Sequence, residues 1–173
     1  GKNVVVIGGG DTAMDCVRTA IRQKAKSVTC LYRRDRANMP GSQREVANAE
    51  EEGVVFKWLS APQAFLGDNH VHSVQAQKIH LGQPDATGRQ VPQIIADSAH
   101  EIPADLVIKA LGFDPEDLPV MFGAEDLAVS KWGTVDIDWR TMMTKIPGVF
   151  AAGDIVRGAS LVVWGVRDGR DAA

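Results

Sequence analysis

The chain has 173 residues, 45 % of them hydrophobic and 24 % charged, with 19 basic and 22 acidic side chains and a net charge of −3. That length makes one domain of ordinary size, or one compact domain with part of another. The charge offers no basic footprint for nucleic acid, no run of 18 apolar residues exists to span a membrane, and Gly1-Lys2-Asn3-Val4 opens straight into a strand with no sign of a targeting segment.

Asn3-Val4-Val5-Val6-Ile7 is continuously apolar from Val4 and rich in β-branched side chains, the pattern of a strand buried on both faces of a parallel sheet. Gly8-Gly9-Gly10 follows. Ala13, Val17, Ala20 and Ile21 then recur with helical spacing, and Val28-Thr29-Cys30-Leu31-Tyr32 predicts a second strand. The opening thus predicts a right-handed βαβ unit. Ser42-Gln43-Arg44-Glu45 predicts a capping box and a short helix with Val46 and Ala49 inward, closed by a left-handed Gly53.

Val54 to Leu59 predicts a third strand. From Gln63 to Ile102 the texture changes: Val71, Val74, Ala76, Ile79 and Leu81 alternate with polar residues. Turn clusters at 67–69 and 84–88 break this stretch into antiparallel hairpins. Leu106 to Gly112 reads as a further buried strand, Gly133 to Ile137 as a short exposed one, and Ile146 to Asp154 as a strand ending in Gly-Asp. A helix is expected from about Ser160 to the last residue, where the missing cap suggests truncation.

Gly8-Gly9-Gly10-Asp11-Thr12-Ala13 fits G-x-G-x-x-G/A between a strand and a helix, the context in which that motif binds a dinucleotide. Gly8 permits the tight turn, Gly10 lets the backbone approach a pyrophosphate, and Ala13 allows close helix–strand packing. The helix N-terminus supplies N–H groups and a positive dipole end to the anion. NAD-binding versions carry Asp or Glu about 20 residues on, to hold the ribose 2′-hydroxyl. Here the second strand ends Tyr32-Arg33-Arg34-Asp35-Arg36. Guanidinium groups bind a 2′-phosphate by charge-assisted, often bidentate hydrogen bonds. Arg33 and Arg34 are therefore the expected ligands for NADPH, with Arg36 a weaker third; a solvated basic turn is the plainer alternative. Gly9 and Gly112 complete the candidates on this side.

Ala151-Ala152-Gly153-Asp154, followed by Gly158 and a helix, forms a second constellation. A carboxylate at Asp154 can accept hydrogen bonds from ribityl hydroxyls, and the helix start at Ser160, Leu161 and Val162 can stabilise charge on a reduced flavin. An ordinary Gly-Asp turn explains the same residues equally well.

Residues 8–40 and 151–170, with Gly41-Ser42-Gln43-Arg44-Glu45-Val46 and Ala104-Asp105-Leu106-Val107-Ile108, resemble the NADPH-dependent glutamate synthase small (β) subunit family over essentially the whole chain. The resemblance implies an α/β fold: a Rossmann-like three-layer NADPH-binding domain (1–112) with an antiparallel hairpin insertion, then a C-terminal segment of an FAD-binding domain (113–173). It is also similar to thioredoxin reductase, adrenodoxin reductase-like and dihydropyrimidine dehydrogenase domains, in which the NADPH domain is inserted within the FAD domain.

The resemblance places Gly8, Gly10, Asp11, Thr12, Arg33 and Arg34 against NADPH, and Gly153, Asp154 and the Ser160–Val162 helix start against FAD. It implies that electrons leave FAD through iron–sulfur clusters outside this chain to a large subunit that makes glutamate from glutamine and 2-oxoglutarate. The chain departs from the family in three ways. It has neither an N-terminal FAD glycine motif nor cluster cysteines, which implies a fragment that is inactive alone. It lacks the CxxC of thioredoxin reductases. Lys24 stands where the family usually has Gly after the helix, losing the preferred left-handed cap.

Cys16 and Cys30 are too far apart in sequence for a CxxC pair and too few for a cluster; they read as packing thiols in a reducing cytoplasm. His70 and His72 lack a third metal ligand nearby and read as surface residues. Trp58, Trp132, Trp139 and Trp164 show no periodic spacing, and Trp164 reads as core packing. No general base is identified, and hydride transfer to a flavin needs none. Two other readings use the same residues: an electron-input module for a different iron–sulfur partner, and a non-catalytic nucleotide-binding regulatory module.

Overall fold

The computed structural model describes residues 1–86, 88 and 90–173; Thr87, part of the turn expected at 84–88, and Arg89 lie outside the described residues. The chain folds as two compact units, Gly1–Leu111 and Gly112–Ala173.

In the first unit Asn3–Ile7 forms β1, Asp11–Arg22 forms α1 and Ser27–Leu31 forms β2. β1 and β2 run parallel, with Val4 opposite Val28 and Ile7 opposite Leu31, which closes the βαβ unit. Gln43–Glu51 is α2 and Val55–Lys57 is β3, parallel to β2. Four antiparallel strands follow: β4 (Ser60–Leu66), β5 (Ser73–Pro84), β6 (Gln90–Ile94) and β7 (His100–Pro103). Strand β5 pairs with all three others. The chain then returns as β8 (Leu106–Lys109), parallel to β1, giving the sheet order β3-β2-β1-β8.

Alternation along β1 explains the layering. Successive strand side chains point to opposite faces, so the unbroken apolar run Val4 to Ile7 needs cover on both. Val4 and Val6 pack with Ala13, Met14 and Val17 of α1 and with Val46 and Ala49 of α2. Val5 and Ile7 pack on the other side with Val74 and Ala76 of β5 and with Ile102 and Ala104. The result is three layers: two helices, a parallel sheet and an antiparallel sheet.

Several local expectations change. The capping box does not form: Ser42 makes no side-chain cap bond, and the Glu45 carboxylate binds Arg18 of α1 instead. A charge-assisted bond to a guanidinium outweighs one to a neutral backbone N–H. Arg18 also grips Glu52 through Nε (2.9 Å) and Nη2 (2.7 Å), tying the two helices together. β3 stops at Lys57, and Leu59 takes a left-handed φ of 51° that no strand accommodates. β8 is half-exposed rather than buried, with Leu106 at 42 %, because it is one of the two edge strands of the sheet.

The second unit contains α3 (Leu118–Phe122), β9 (Ile137–Asp138), β10 (Met143–Thr144), α4 (Asp154–Arg157) and α5 (Val162–Ala172). Leu127, Val135 and Val156 form its small core. The expected exposed strand at 133–137 reduces to a bridge between Val129 and a buried Val135, and regular pairing starts only at Ile137. No strand runs from Ile146 to Asp154; Phe150 makes a single bridge to Met143. The last helix begins at Val162, with Leu161 as its N-cap.

Both α1 and α2 end in the same hydrogen-bonded motif. After α1, Lys24 N–H donates to the Ile21 carbonyl and Ala25 N–H to the Ala20 carbonyl; after α2, Gly53 donates to Glu50 and Val54 to Ala49. The motif places one residue in the left-handed region. Gly53 adopts it with φ 96°, but Lys24 must hold φ 60° with a Cβ. Lys24→Gly is expected to stabilise the protein by about 1 kcal/mol, measured by urea unfolding. Met14→Ala, at a position 1 % exposed, is expected to cost about 2–5 kcal/mol.

The Arg18 hydrogen bond holds the Glu52 carboxyl below its ordinary value of 4.5. A depressed folded-state value means stability present above that pH and lost as pH falls through the lower one. Glu52→Gln should therefore flatten the dependence of unfolding free energy on pH below 4.5, as read by urea titrations at stepped pH.

Candidate functional site

The turn after β1 has almost no spare volume. Gly8 has φ 147°, and a Cβ there would lie 2.2 Å from the Ala110 carbonyl oxygen. A Cβ on Gly9 would lie 2.4 Å from the Tyr32 ring. Gly10, the N-cap of α1, has φ −89° and ψ 179°, and a Cβ there meets nothing within 4 Å. Gly8 and Gly9 are thus required by protein neighbours, whereas Gly10 faces open space at the start of a twelve-residue helix. Ala13 is fully buried against the sheet, as close helix–strand packing requires.

The segment after β2 folds back onto this turn. Gly41 N–H donates to the Gly9 carbonyl (2.9 Å) and Ser42 N–H to Asp11 Oδ1 (3.0 Å). A Cβ on Gly41 would approach Gly9 O to 3.0 Å. Tyr32 donates its hydroxyl to the Asn38 carbonyl (2.9 Å), and Asp35 Oδ1 accepts from Asn38 N (2.9 Å) and Nδ2 (2.8 Å). Asp35 is therefore engaged within its own loop. Sequence reasoning missed Tyr32 and Gly41 as the residues that close the turn; a glycine after Met39-Pro40 was the available signal.

The three arginines differ. Arg33 is exposed. Arg34 is half-buried, and its Nε is shielded from solvent without a hydrogen-bond partner among the described residues. Leaving such a donor unmatched costs about 1–3 kcal/mol, so the guanidinium is set up to meet an acceptor. Arg36 already has one: Nη1 donates to both Glu50 oxygens at 2.9 and 2.8 Å. The donor set fits a phosphate monoester on Arg33 and Arg34, with Arg36 held aside by Glu50. Thr12 is exposed on the first turn of α1, beside a cleft of about 600 Å³ whose lining includes Cys16, Leu106 and Ile108 but neither the turn glycines nor the arginines.

In the second unit Gly153 caps α4 at φ 79° and ψ −147°, and its N–H donates to Asp168 Oδ2 (3.3 Å). Asp154, Ser160, Leu161 and Val162 are exposed, Val162 at 83 %. Gly112 stands at the start of this unit with φ 92° and open space around its Cα. Trp164 is not core packing: it is 39 % exposed and flanked by the guanidinium groups of Arg157 and Arg167.

Cys16 and Cys30 are both free. Burial pushes the Cys30 thiol up to about 12, and burial together with Asp15 raises Cys16, so neither is a thiolate at neutral pH. His70 and His72 are exposed, and the described residues hold no group of three metal-ligating side chains. No helix among the described residues is long and apolar enough to cross a membrane.

A parallel sheet with a glycine turn at a helix N-terminus and an antiparallel sheet on its opposite face defines an α/β nucleotide-binding oxidoreductase fold. The sequence profile of the pyridine nucleotide-disulphide oxidoreductases matches residues 1–169, and the chain belongs to that family. It is 70 % identical over 173 residues to the glutamate synthase [NADPH] small chain of Azospirillum brasilense, covering all of this chain and 36 % of that one. It is 48 % identical over 181 residues to the protein of the same name from Escherichia coli, covering all of this chain and 38 % of that one. The chain therefore spans well under half the length of these relatives. Among solved structures, Lactococcus lactis thioredoxin reductase superposes with a TM-score of 0.77 at 26 % identity, over 99 % of this chain and 50 % of that one.

Gly8→Ala is expected to destabilise the protein by more than about 2 kcal/mol, because strained φ and a backbone clash add. Gly10→Ala is expected to stay within about 1 kcal/mol of the parent. Thermal unfolding of the two variants side by side checks the contrast.

Proposed function

We propose that this chain is the NADPH-binding part (1–112) and a C-terminal piece of the FAD-binding part (113–173) of a flavoprotein oxidoreductase of the glutamate synthase small-subunit type. The observation that carries the reading is the Arg33–Arg34 pair at the end of β2, with the shielded and unmatched Nε of Arg34, where an NAD-binding domain places a carboxylate. Identity of 70 % to a glutamate synthase [NADPH] small chain supports the same reading.

Hydride donation by NADPH and its acceptance by FAD are chemistry that the two cofactors supply when bound. The chain's residues bind and orient. The N–H groups opening α1, beside the open face of Gly10, receive the pyrophosphate. Arg33 and Arg34 take the 2′-phosphate, and Gly8 and Gly9 fix the turn that aims α1. Thr12 lies on the first turn of α1. Asp11 acts indirectly, by anchoring the 33–42 segment through Ser42. In the second unit Gly153 and Asp154 hold the ribityl chain, and the start of α5 lies against the flavin. The solvent-facing apolar edge formed by Leu161, Val162, Val163 and Val166 supports completion of this unit by further protein.

Electrons then leave through iron–sulfur clusters outside this chain to a glutamate synthase large subunit or an equivalent acceptor, in the cytoplasm, where glutamate is made. A full-length flavoprotein carrying Arg33→Ala and Arg34→Ala is expected to show at least a tenfold rise in KM for NADPH, about the loss of one charge-assisted bond, with little change for NADH. Equal effects on both nucleotides would remove the 2′-phosphate assignment. Absence of flavin bleaching in stopped-flow mixing of the parent with NADPH would remove the enzyme reading and favour a regulatory nucleotide-binding module.

A further inference from the structure

Asp168 is 1 % exposed, the most deeply buried charged residue described in the chain. A carboxylate removed from water persists only where charge and hydrogen bonds replace the lost hydration. Here the replacement is specific: Arg157 donates through Nε to Oδ2 (2.5 Å) and through Nη2 to Oδ1 (2.6 Å), a two-pronged guanidinium–carboxylate pair. The Arg157 guanidinium also lies between two indoles, 4.9 Å from the Trp139 ring centre and 5.1 Å from that of Trp164. Such contacts suit a planar, weakly hydrated guanidinium.

The third donor to this carboxylate is the Gly153 backbone N–H, at 3.3 Å from Oδ2. Gly153 has φ 79° and ψ −147°, a conformation that side chains rarely adopt. A Cβ there would also sit 3.7 Å from the Gly165 Cα, so α5 passes close against this residue, one turn before Asp168. One buried carboxylate thereby joins three features: the N-cap of α4, the Arg157 at its other end, and α5. The N–H so held belongs to the Ala152–Gly153 peptide, one residue before Asp154, which opens α4.

We propose that Arg157 and Asp168 form a positioning clamp that fixes the Gly153–Asp154 turn for flavin contact, with Trp139 and Trp164 holding the Arg157 plane. The proposal deepens the flavoprotein reading and rests on it. Each clamp residue acts through the backbone of Gly153. A clamp that aims one contact alters flavin affinity and the flavin's electronic environment, whereas a strut that merely supports the fold alters stability alone.

The test uses the full-length holoprotein with Asp168→Asn, Arg157→Met and Arg157→Lys. For each, FAD affinity, the visible flavin spectrum, NADPH affinity and Tm are measured on one preparation. Asp168→Asn and Arg157→Met are expected to weaken FAD binding about tenfold or more and to shift the flavin absorption bands, with NADPH affinity unchanged. Arg157→Lys keeps the charge without the fork and should recover part of the affinity; it replaces Asp168→Asn as the decisive variant if that protein does not fold. Parent-like flavin affinity and spectrum in folded variants, with only Tm lowered, would overturn the clamp alone. A parent protein that binds NADPH but no flavin would overturn the flavoprotein reading, and the clamp with it.

Discussion

The first unit depends on how tightly the end of β1 is enclosed. Ile7 is paired on one side to Leu31 and on the other to Lys109, so the chain leaves the sheet through a gap bounded by the Ala110 carbonyl and the Tyr32 ring. Only residues without a Cβ pass through it, which is why Gly8 and Gly9 answer to protein neighbours rather than to a ligand. Once the exit is fixed, so is the axis of α1. The Gly41 and Ser42 backbone bonds then dock the following segment on the same turn. Steric exclusion at two residues thus propagates into the placement of a helix N-terminus and of the arginines beyond β2.

The second unit is organised by different forces. Its buried apolar cluster is small, with Leu127, Val135 and Val156 at the centre. Order near α4 and α5 comes instead from an ion pair on a buried carboxylate, three indole–guanidinium contacts and the approach of one glycine to another. Interactions of this kind are directional where apolar packing is not. They suit a region in which a backbone group must point in one direction.

The βαβ unit, the hairpin region and the glycine turn were legible in the sequence because each writes a periodic or stereochemical signature into consecutive residues. Val4 to Ile7 must be covered on both faces whatever the rest of the chain does, and Gly53 marks a helix end by local geometry. What was not legible depends on partners distant in sequence. Glu45 leaves its own helix cap for Arg18 on another helix, Arg36 is taken by Glu50, and Leu106 is exposed because the sheet order puts β8 at an edge. Only the fold brings Arg157 and Gly153 to Asp168. Ile146 to Phe150 has strand composition, yet composition cannot supply the neighbour that a strand needs, and a single bridge results.

The pairing of β1 with β8 joins residues about a hundred positions apart, and the face of β1 carrying Val5 and Ile7 is covered by residues 74–104. Long-range closure of this kind slows folding, because chain entropy is lost before contacts compensate it. During synthesis on the ribosome, β1 is therefore sheathed only by residues made well after it. Until residues 74–109 emerge from the exit tunnel, a nascent chain displays the Val5 and Ile7 face of β1 uncovered, an inviting target for chaperones and for aggregation.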